Sequence, residues 1–183
     1  MNSQDEIVLS LLPDSSKRCI INAAKILDEN PELFEPMYEL CWNNVPRVSA
    51  RAMRVINLLA ELNPMILNDK REFILDKLTS VTNECILFGA LHLFVVIDLP
   101  DDDEFLGTLT DTCINLLNRS FERIAVKVYC LDILYRITAI YPEFSSELVH
   151  IIRSQMISAP MAIMSRGRKI LKKLGTEEYD EFT

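Results

Sequence analysis

Apolar and polar residues follow one another with a helical period along most of the chain. The stretch RVSARAMRVINLLAELNP, residues 47–64, carries apolar residues on most sides of a helix and basic residues on one stripe, and it stops at an Asn-Pro pair. A similar stretch returns as RIAVKVYCLDILYRITAIYP and again, shortened, as SRGRKILKKL. The pattern predicts a helical segment that the chain uses several times.

Four prolines stand at equivalent places between such segments: Pro31, Pro64, Pro100 and Pro142. Proline suits the first turn of a helix and disfavours a helical conformation in the residue before it, so each is expected to end one helix and open the next. The units that start at these prolines are roughly 33 to 42 residues long, a period typical of helical-repeat proteins.

Each unit contains two helical patterns. The first is amphipathic, with apolar positions such as Phe73, Ile74, Leu78 and Val81 at helical spacing. The second, in the two middle units, is apolar nearly all round, as expected of a helix with neighbours on both sides. A single pair cannot bury its apolar face, so the pairs are expected to stack into one continuous core closed by more polar terminal helices.

Ahead of the first unit, the segment SSKRCIINAAKILDE has the pattern of an unpaired second helix, with Asp14, Ser15 or Ser16 available as its N-cap. Residues 4–12 are expected to form a short capping helix before it. The chain has only four glycines, and since tight turns between strands usually recruit glycine, an all-α fold is favoured. We expect one domain over residues 1–174 and a disordered acidic tail over residues 175–183.

The charge and hydropathy of the chain limit which partners and which location are expected. The 183 residues carry 19 basic and 27 acidic side chains, a formal net charge of −8, so nucleic acid is not an expected partner. The acidic first residues do not fit a signal peptide, and the most apolar window, residues 85–99, is shorter than the roughly 20 residues of a membrane-spanning helix. A cytoplasmic protein without a membrane segment is expected.

The stretches VSARAMRVINLL, IAVKVYCLDILYRI and MSRGRKILKKL carry a resemblance to a known family. Each has a basic residue near the start of a second helix, followed by Ala and Leu at helical spacing, and in this the chain resembles the HEAT-like and armadillo-like α-α superhelices. The resemblance implies a right-handed superhelix of stacked antiparallel helix pairs, with the second helices on the concave face. The family's basic position maps onto Arg51, Lys127 and Arg166.

More narrowly, residues 16–174 look like a group of small uncharacterised bacterial HEAT-like proteins that are often labelled adenylosuccinate lyase. Lyases of that superfamily have a Ser-rich, Gly-containing loop with Met-Pro, Lys and Asn in fixed order, and the nearest segment here, SAPMAIMS at residues 158–165, lacks that order. HEAT-like DNA glycosylases use aromatic and acidic residues in a basic groove, and the single Trp42 of this acidic chain gives little support for such a groove. We therefore expect a non-enzymatic scaffold for protein interactions, with an enzyme of unknown reaction as the alternative.

Basic residues define the candidate binding surface. Arg47, Arg51 and Arg54 fall on one stripe of a helix. The later second helices extend the series, and the full candidate strip is Arg47, Arg51, Arg54, Lys127, Arg166 and Lys169. One interpretation is a groove for a protein or acidic peptide. The other is a ladder of ion pairs and hydrogen bonds between adjacent repeats, with partners such as Asp132 and Glu122.

The remaining chemistry-bearing residues fit structural roles. His92 and His150 have no evident catalytic partner nearby in sequence, so core or boundary positions are expected. The five cysteines lie far apart in apolar helical contexts, which indicates buried free thiols rather than a metal site, and no cofactor is expected. The acidic segment at residues 98–105 lacks the ligand spacing of a calcium loop and fits a helix N-terminus.

Overall fold

The computed structural model describes residues 3–43, 45–81, 83–120 and 122–176, and these residues form helices without any strand. The predicted all-α helical-repeat fold is confirmed. The described α-helices are α1 Ser3–Ser10, α2 Lys17–Glu29, α3 Phe34–Trp42, α4 Pro46–Leu62, α5 Arg71–Ser80, α6 Glu84–Val96, α7 Asp103–Asn118, α8 Ile124–Ile137, α9 Ser145–Met156 and α10 Met161–Lys173.

The four prolines mark the helix boundaries, as predicted. Three of them open a short 3₁₀ turn that leads into the first helix of a pair: Pro31–Leu33 before α3, Pro64–Lys70 before α5 and Pro142–Phe144 before α9. Pro100 lies in the connection between α6 and α7. The fixed φ angle and missing N–H of proline suit these first turns, where a backbone donor has no helical partner.

Side-chain caps fix two further helix starts. The hydroxyl of Ser16 accepts a hydrogen bond from the Cys19 backbone N–H at 3.2 Å and starts α2. The carboxylate of Asp102 accepts one from the Phe105 N–H at 2.8 Å and starts α7. Each cap satisfies a backbone N–H that has no hydrogen-bond partner within the helix. The acidic segment before α7 therefore caps the N-terminus of that helix.

The chain divides into two compact units, one ending at Asp98 and the other starting at Leu99. We call them unit 1 and unit 2 and describe each by itself; the single domain over residues 1–174 stays a prediction. Gly175 has a φ of 72° just after α10, the left-handed conformation that commonly ends a helix. Of the predicted tail, residues 177–183 lie outside the described residues.

In unit 1, helix α4 is the centre of the core. It packs against α2, α3 and α6, and its side chains Ala52, Val55, Ile56 and Ala60 are fully buried. Burying a side chain of the size of Val or Ile contributes about 1.5 to 3 kcal/mol to folding, so this one helix face accounts for much of the stability of unit 1. Helices α2, α4 and α6 form one layer of neighbours, with α3 and α5 packed on α4 and α6.

In unit 2, helix α8 is the centre of the core, as α4 is in unit 1. It packs against α7, α9 and α10, and this confirms that a helix apolar nearly all round has neighbours on several sides. Helix α10 also approaches α9 closely at Gly167, where an added Cβ would lie 2.6 Å from the Met156 sulfur. A larger residue at Gly167 would push these two helices apart.

Aromatic packing explains Trp42. Its ring lies edge-on to Phe73 on α5 at a centroid distance of 5.6 Å and to Tyr38 at 6.0 Å. Trp42 therefore has a packing role, because α3 and α5 meet through these rings. Phe73 is nevertheless 42% exposed and lies at the edge of the core.

Two expectations about burial were wrong. All five cysteines are free, but Cys85 is exposed because it is the second residue of α6, at a helix end that no neighbour covers. His150 is also exposed, on the outer face of α9. His92, in contrast, is half-buried between helices, as expected.

Candidate functional site

Three arginines of the candidate strip share one surface pocket in unit 1. The pocket has a volume of about 280 Å³ and is lined by Ser15, Arg47, Ala50, Arg51 and Arg54. We call it the arginine pocket. Residues 47, 51 and 54 lie within two turns on one face of α4, and α4 packs against α2, so this face lies beside the loop that leads into α2.

Two of the guanidinium groups are held by backbone carbonyls of that loop. Arg51 Nη1 donates to the oxygens of Leu12 at 2.8 Å and Pro13 at 3.0 Å, and Arg54 Nη1 donates to the oxygen of Ser15. These bonds satisfy carbonyls that no helix uses, and they fix both side chains in place. Arg51 is half-buried as a result, whereas Arg54 stays exposed.

The positive charge of the pocket has no counter-charge in direct contact. Within the described part of the chain, none of its three arginines forms an ion pair with a carboxylate, and exposed Arg47 makes no hydrogen bond either. Asp14 on the adjoining loop is bound to Ser16, whose hydrogen bonds lower the pKa of the Asp14 carboxyl, with a smaller contribution from the charge of Arg51. The pocket therefore presents three guanidinium groups bonded to neutral carbonyls or to nothing.

The basic residues of unit 2 have different surroundings. Lys127 Nζ donates to the carbonyl oxygen of Leu117 at 2.7 Å, next to the end of α7, where a cation is favourable. Arg166 forms an ion pair with Asp132 at 3.2 Å and so links α10 to α8. Lys169 is exposed and has no hydrogen bond or ion pair among the described residues.

The geometry thus supports the ladder interpretation at one position, the Arg166–Asp132 ion pair between α10 and α8. Asp132 is the acidic partner that the sequence suggested, and burial raises the pKa of its carboxyl while the charges of Arg166 and Lys173 oppose that rise. Glu122 instead pairs with Arg119 at 3.6 Å and accepts a hydrogen bond from the Arg123 N–H at 3.0 Å. Lys127 and Arg166 each hold two neighbouring helices of unit 2 together.

Sequence reasoning missed an acidic pocket in unit 2. This pocket, of about 500 Å³, lies between α7, the end of α8 and the start of α9, and its carboxylates come from Asp103, Asp111, Glu143 and Glu147. The Tyr141 hydroxyl donates to Asp103, and this bond raises the pKa of Tyr141 to about 12. Asp103 and Asp111 lie eight positions apart on α7, and Glu143 and Glu147 lie four positions apart around the start of α9; this spacing was the available signal.

The acidic pocket differs from a metal centre. No group of three or more His, Cys, Asp or Glu residues in the described ranges converges closely enough to hold a metal ion. The carboxylates are instead spread around the rim of an open depression.

A buried polar cluster lies between α4 and α6. Asn57 Nδ2 donates to the carbonyl oxygens of Met53 at 2.8 Å and Gly89 at 3.2 Å, so its Oδ1 accepts from His92 Nδ1 at 2.6 Å. The other ring nitrogen of His92 faces Glu61 at 3.5 Å. Burial lowers the pKa of His92, and the Glu61 carboxylate partly opposes this.

Stacked helix pairs with such contacts between neighbouring second helices define a helical-repeat protein. The sequence model of the HEAT repeat domain matches residues 10–174, and the chain belongs to this family. Neither the curated proteins nor the solved structures include a match to the chain. In the described ranges, every helix is too short or too polar to cross a membrane.

Proposed function

We propose that the chain is a scaffold for protein interactions and that its arginine pocket binds an acidic segment of a protein partner. The observation that carries this proposal is the charge of the pocket: three guanidinium groups meet there, and no carboxylate of the described residues forms an ion pair with any of them. The chain has 27 acidic residues, so carboxylates were available in quantity for pairing. An external carboxylate would fill the role that no carboxylate of the described residues fills.

The contacts within the pocket favour binding. Arg51 and Arg54 are already oriented by the carbonyls of Leu12, Pro13 and Ser15, so little side-chain entropy is lost when an anion arrives. Arg47 has no partner to give up. Hydrogen bonds between guanidinium and carboxylate are stronger than neutral ones, and the guanidinium fork matches the two carboxylate oxygens.

Local charge also selects the partner. A net charge of −8 repels acidic molecules from most of the surface, whereas the arginine pocket attracts them. Such a contrast favours one orientation of an acidic partner and makes association sensitive to salt. The family match to a repeat domain supports a scaffold and gives no support to the lyase or glycosylase alternatives.

In unit 2 we assign Lys127 and Arg166 to the structure, because both are engaged by neighbouring helices. Lys169 stays a candidate for partner contact. The binding proposal therefore centres on the three arginines of α4.

The test is binding of a fluorescent peptide rich in Asp and Glu, followed by anisotropy. Arg47→Gln should weaken binding about fivefold, which corresponds to about 1 kcal/mol, and the difference should shrink at high salt. Arg153→Gln is the matched control, because Arg153 is exposed on α9 and has no partner among the described residues. Equal affinity of wild type and the Arg47 variant would rule out the arginine pocket as the site.

A further inference from the structure

We propose that the arginine pocket recognises a phosphorylated side chain, on a serine or threonine of the partner peptide, in preference to a carboxylate. This inference rests on the proposed function and names the chemical group that the same site takes. Three features of the pocket support it: the number of guanidinium N–H donors, the size and lining of the pocket, and the position of Asp14.

The donors outnumber what one carboxylate can accept. Among the described residues, Arg51 and Arg54 each bind loop carbonyls through Nη1 only, so their Nε and Nη2 groups keep free N–H donors, and Arg47 keeps all of its donors. A phosphoryl group has three terminal oxygens and a charge of about −1.5 to −2 at neutral pH, whereas a carboxylate has two oxygens and one charge. Three guanidinium groups therefore match a phosphoryl group one to one.

The lining of the pocket suits a compact, polar group. Besides the arginines it consists of Ser15 and Ala50, and no aromatic or long apolar side chain is among these five residues. The exposed Ser15 hydroxyl adds a further donor beside the guanidinium groups. A volume of about 280 Å³ admits a phosphoryl group together with the short side chain that carries it.

Two of the three guanidinium groups are also preorganised. The carbonyls that hold Arg51 and Arg54 belong to the loop directly before α2, so both groups are fixed to the same short segment. Arg47 lies one turn before Arg51 on α4 and is free to close over a bound group. Phosphoryl recognition by arginine depends on this fixed, planar presentation of donors.

The charge of Asp14 affects the relative affinity of the pocket for a phosphoryl group and for a carboxylate. Its carboxylate is held by Ser16 and is close enough to Arg51 to feel its charge. A ligand with two charges is repelled by Asp14 about twice as strongly as a ligand with one. Asp14→Asn keeps an oxygen for the Ser16 N–H and removes this repulsion, so it should increase affinity for a phosphorylated peptide more than for an unphosphorylated acidic one.

The experiment compares three versions of one labelled peptide, with phosphoserine, glutamate or serine at the central position, by fluorescence anisotropy with the full chain. Phosphoserine should bind at least about tenfold more tightly than glutamate, because it adds charge and one more charge-assisted hydrogen bond. Arg47→Gln and Arg47→Lys should both reduce that preference, since lysine keeps the charge but loses the fork. Arg153→Gln should leave it unchanged, and thermal unfolding of each variant checks that it is folded.

The outcomes separate this inference from the proposed function. Equal binding of the phosphoserine and glutamate peptides, lost in Arg47→Gln, overturns the phosphoryl preference and leaves the acidic-peptide site standing. A phosphoserine preference that Arg47→Gln does not change places the site elsewhere and overturns the inference. If inorganic phosphate or double-stranded DNA competes for the site as well as the unlabelled phosphopeptide does, the pocket does not prefer a phosphorylated peptide, and the inference is overturned. Failure of all three peptides to bind overturns the proposed function too.

Discussion

Asn57 and His92 are joined side chain to side chain across the contact of α4 and α6, with 2.6 Å between Asn57 Oδ1 and His92 Nδ1. In this orientation the Asn57 amide nitrogen donates to two backbone carbonyls, so its oxygen accepts and His92 carries a proton on Nδ1. This pair therefore fixes both the orientation of the amide and the tautomer of the imidazole. It also ties two neighbouring second helices together at one register.

The first prediction concerns the loss of this pair. Asn57→Ala should reduce the free energy of unfolding by about 1 to 3 kcal/mol, because it removes the hydrogen bonds that the buried Asn57 amide makes to the Gly89 carbonyl and to His92 Nδ1. Urea denaturation measures the change. Asn22→Ala, on the exposed face of α2, is the control and should stay within about 0.5 kcal/mol of wild type. Similar costs at both positions would mean that the buried pair contributes no specific stability.

The second prediction concerns pH. The pKa of His92 is lowered from its ordinary value of 6.5, chiefly by burial, so the folded chain binds this proton less readily than the unfolded chain does. Stability from this group is therefore present above the unfolded pKa and falls as the pH drops through 6.5 toward the lower folded value. Wild type should lose more stability than His92→Gln between pH 7 and about pH 5. Parallel melting curves of the two proteins over this range would contradict the role of His92.

A third prediction uses two helical glycines with opposite surroundings. A Cβ on Gly89 would lie 2.1 Å from Met53 Cγ, and Met53 is a core side chain that is only 1% exposed. Gly89→Ala should therefore destabilise the chain by about 1 to 3 kcal/mol. At Gly107 nothing lies within 4 Å of the added atom, so Gly107→Ala should stabilise α7 by up to about 1 kcal/mol through helix propensity. Thermal unfolding of both variants tests whether their effects have opposite signs.

The fourth prediction concerns the ion pair between α8 and α10. Removing Arg166 leaves the desolvated Asp132 carboxylate without its partner, whereas Asp132→Asn removes the charge that burial disfavours. Arg166→Gln should therefore cost about 1 kcal/mol more than Asp132→Asn, a modest difference because Arg166 is partly exposed and Lys173 remains nearby. Denaturant titrations give both values. A larger loss in Asp132→Asn would show that the carboxylate has another, more important partner.

The helix boundaries could be predicted because they are decided locally. Proline disfavours helix before it and suits the first turn after it, and a capping hydroxyl or carboxylate acts within three residues, so Pro31, Ser16 and the acidic segment before α7 could all be read directly from sequence. The helical period then fixed which faces are apolar. For these reasons the pairing of first and second helices agrees with the structure.

The candidate site was predicted only in part, because its chemistry depends on contacts between distant segments. The sequence places Arg51 and Arg54 on one stripe of a helix, but it does not show that Arg51 is half-buried and bonded to Leu12 and Pro13, 39 and 38 residues earlier in the chain. No local pattern encodes such a contact. The acidic pocket also requires the side chains of α7 and α9 to meet, and helical spacing alone shows only that each helix has an acidic face.

The exposed position of Cys85 has a practical consequence for labelling. The other four thiols are buried or half-buried, and the pKa of Cys41 and Cys113 is raised well above that of an ordinary thiol, so these two form little of the reactive thiolate. A maleimide added briefly to the native chain should thus attach first to Cys85, at the start of α6. A fluorophore or a spin label can therefore be attached to the wild-type protein at one defined position without any substitution. The label would lie outside the core.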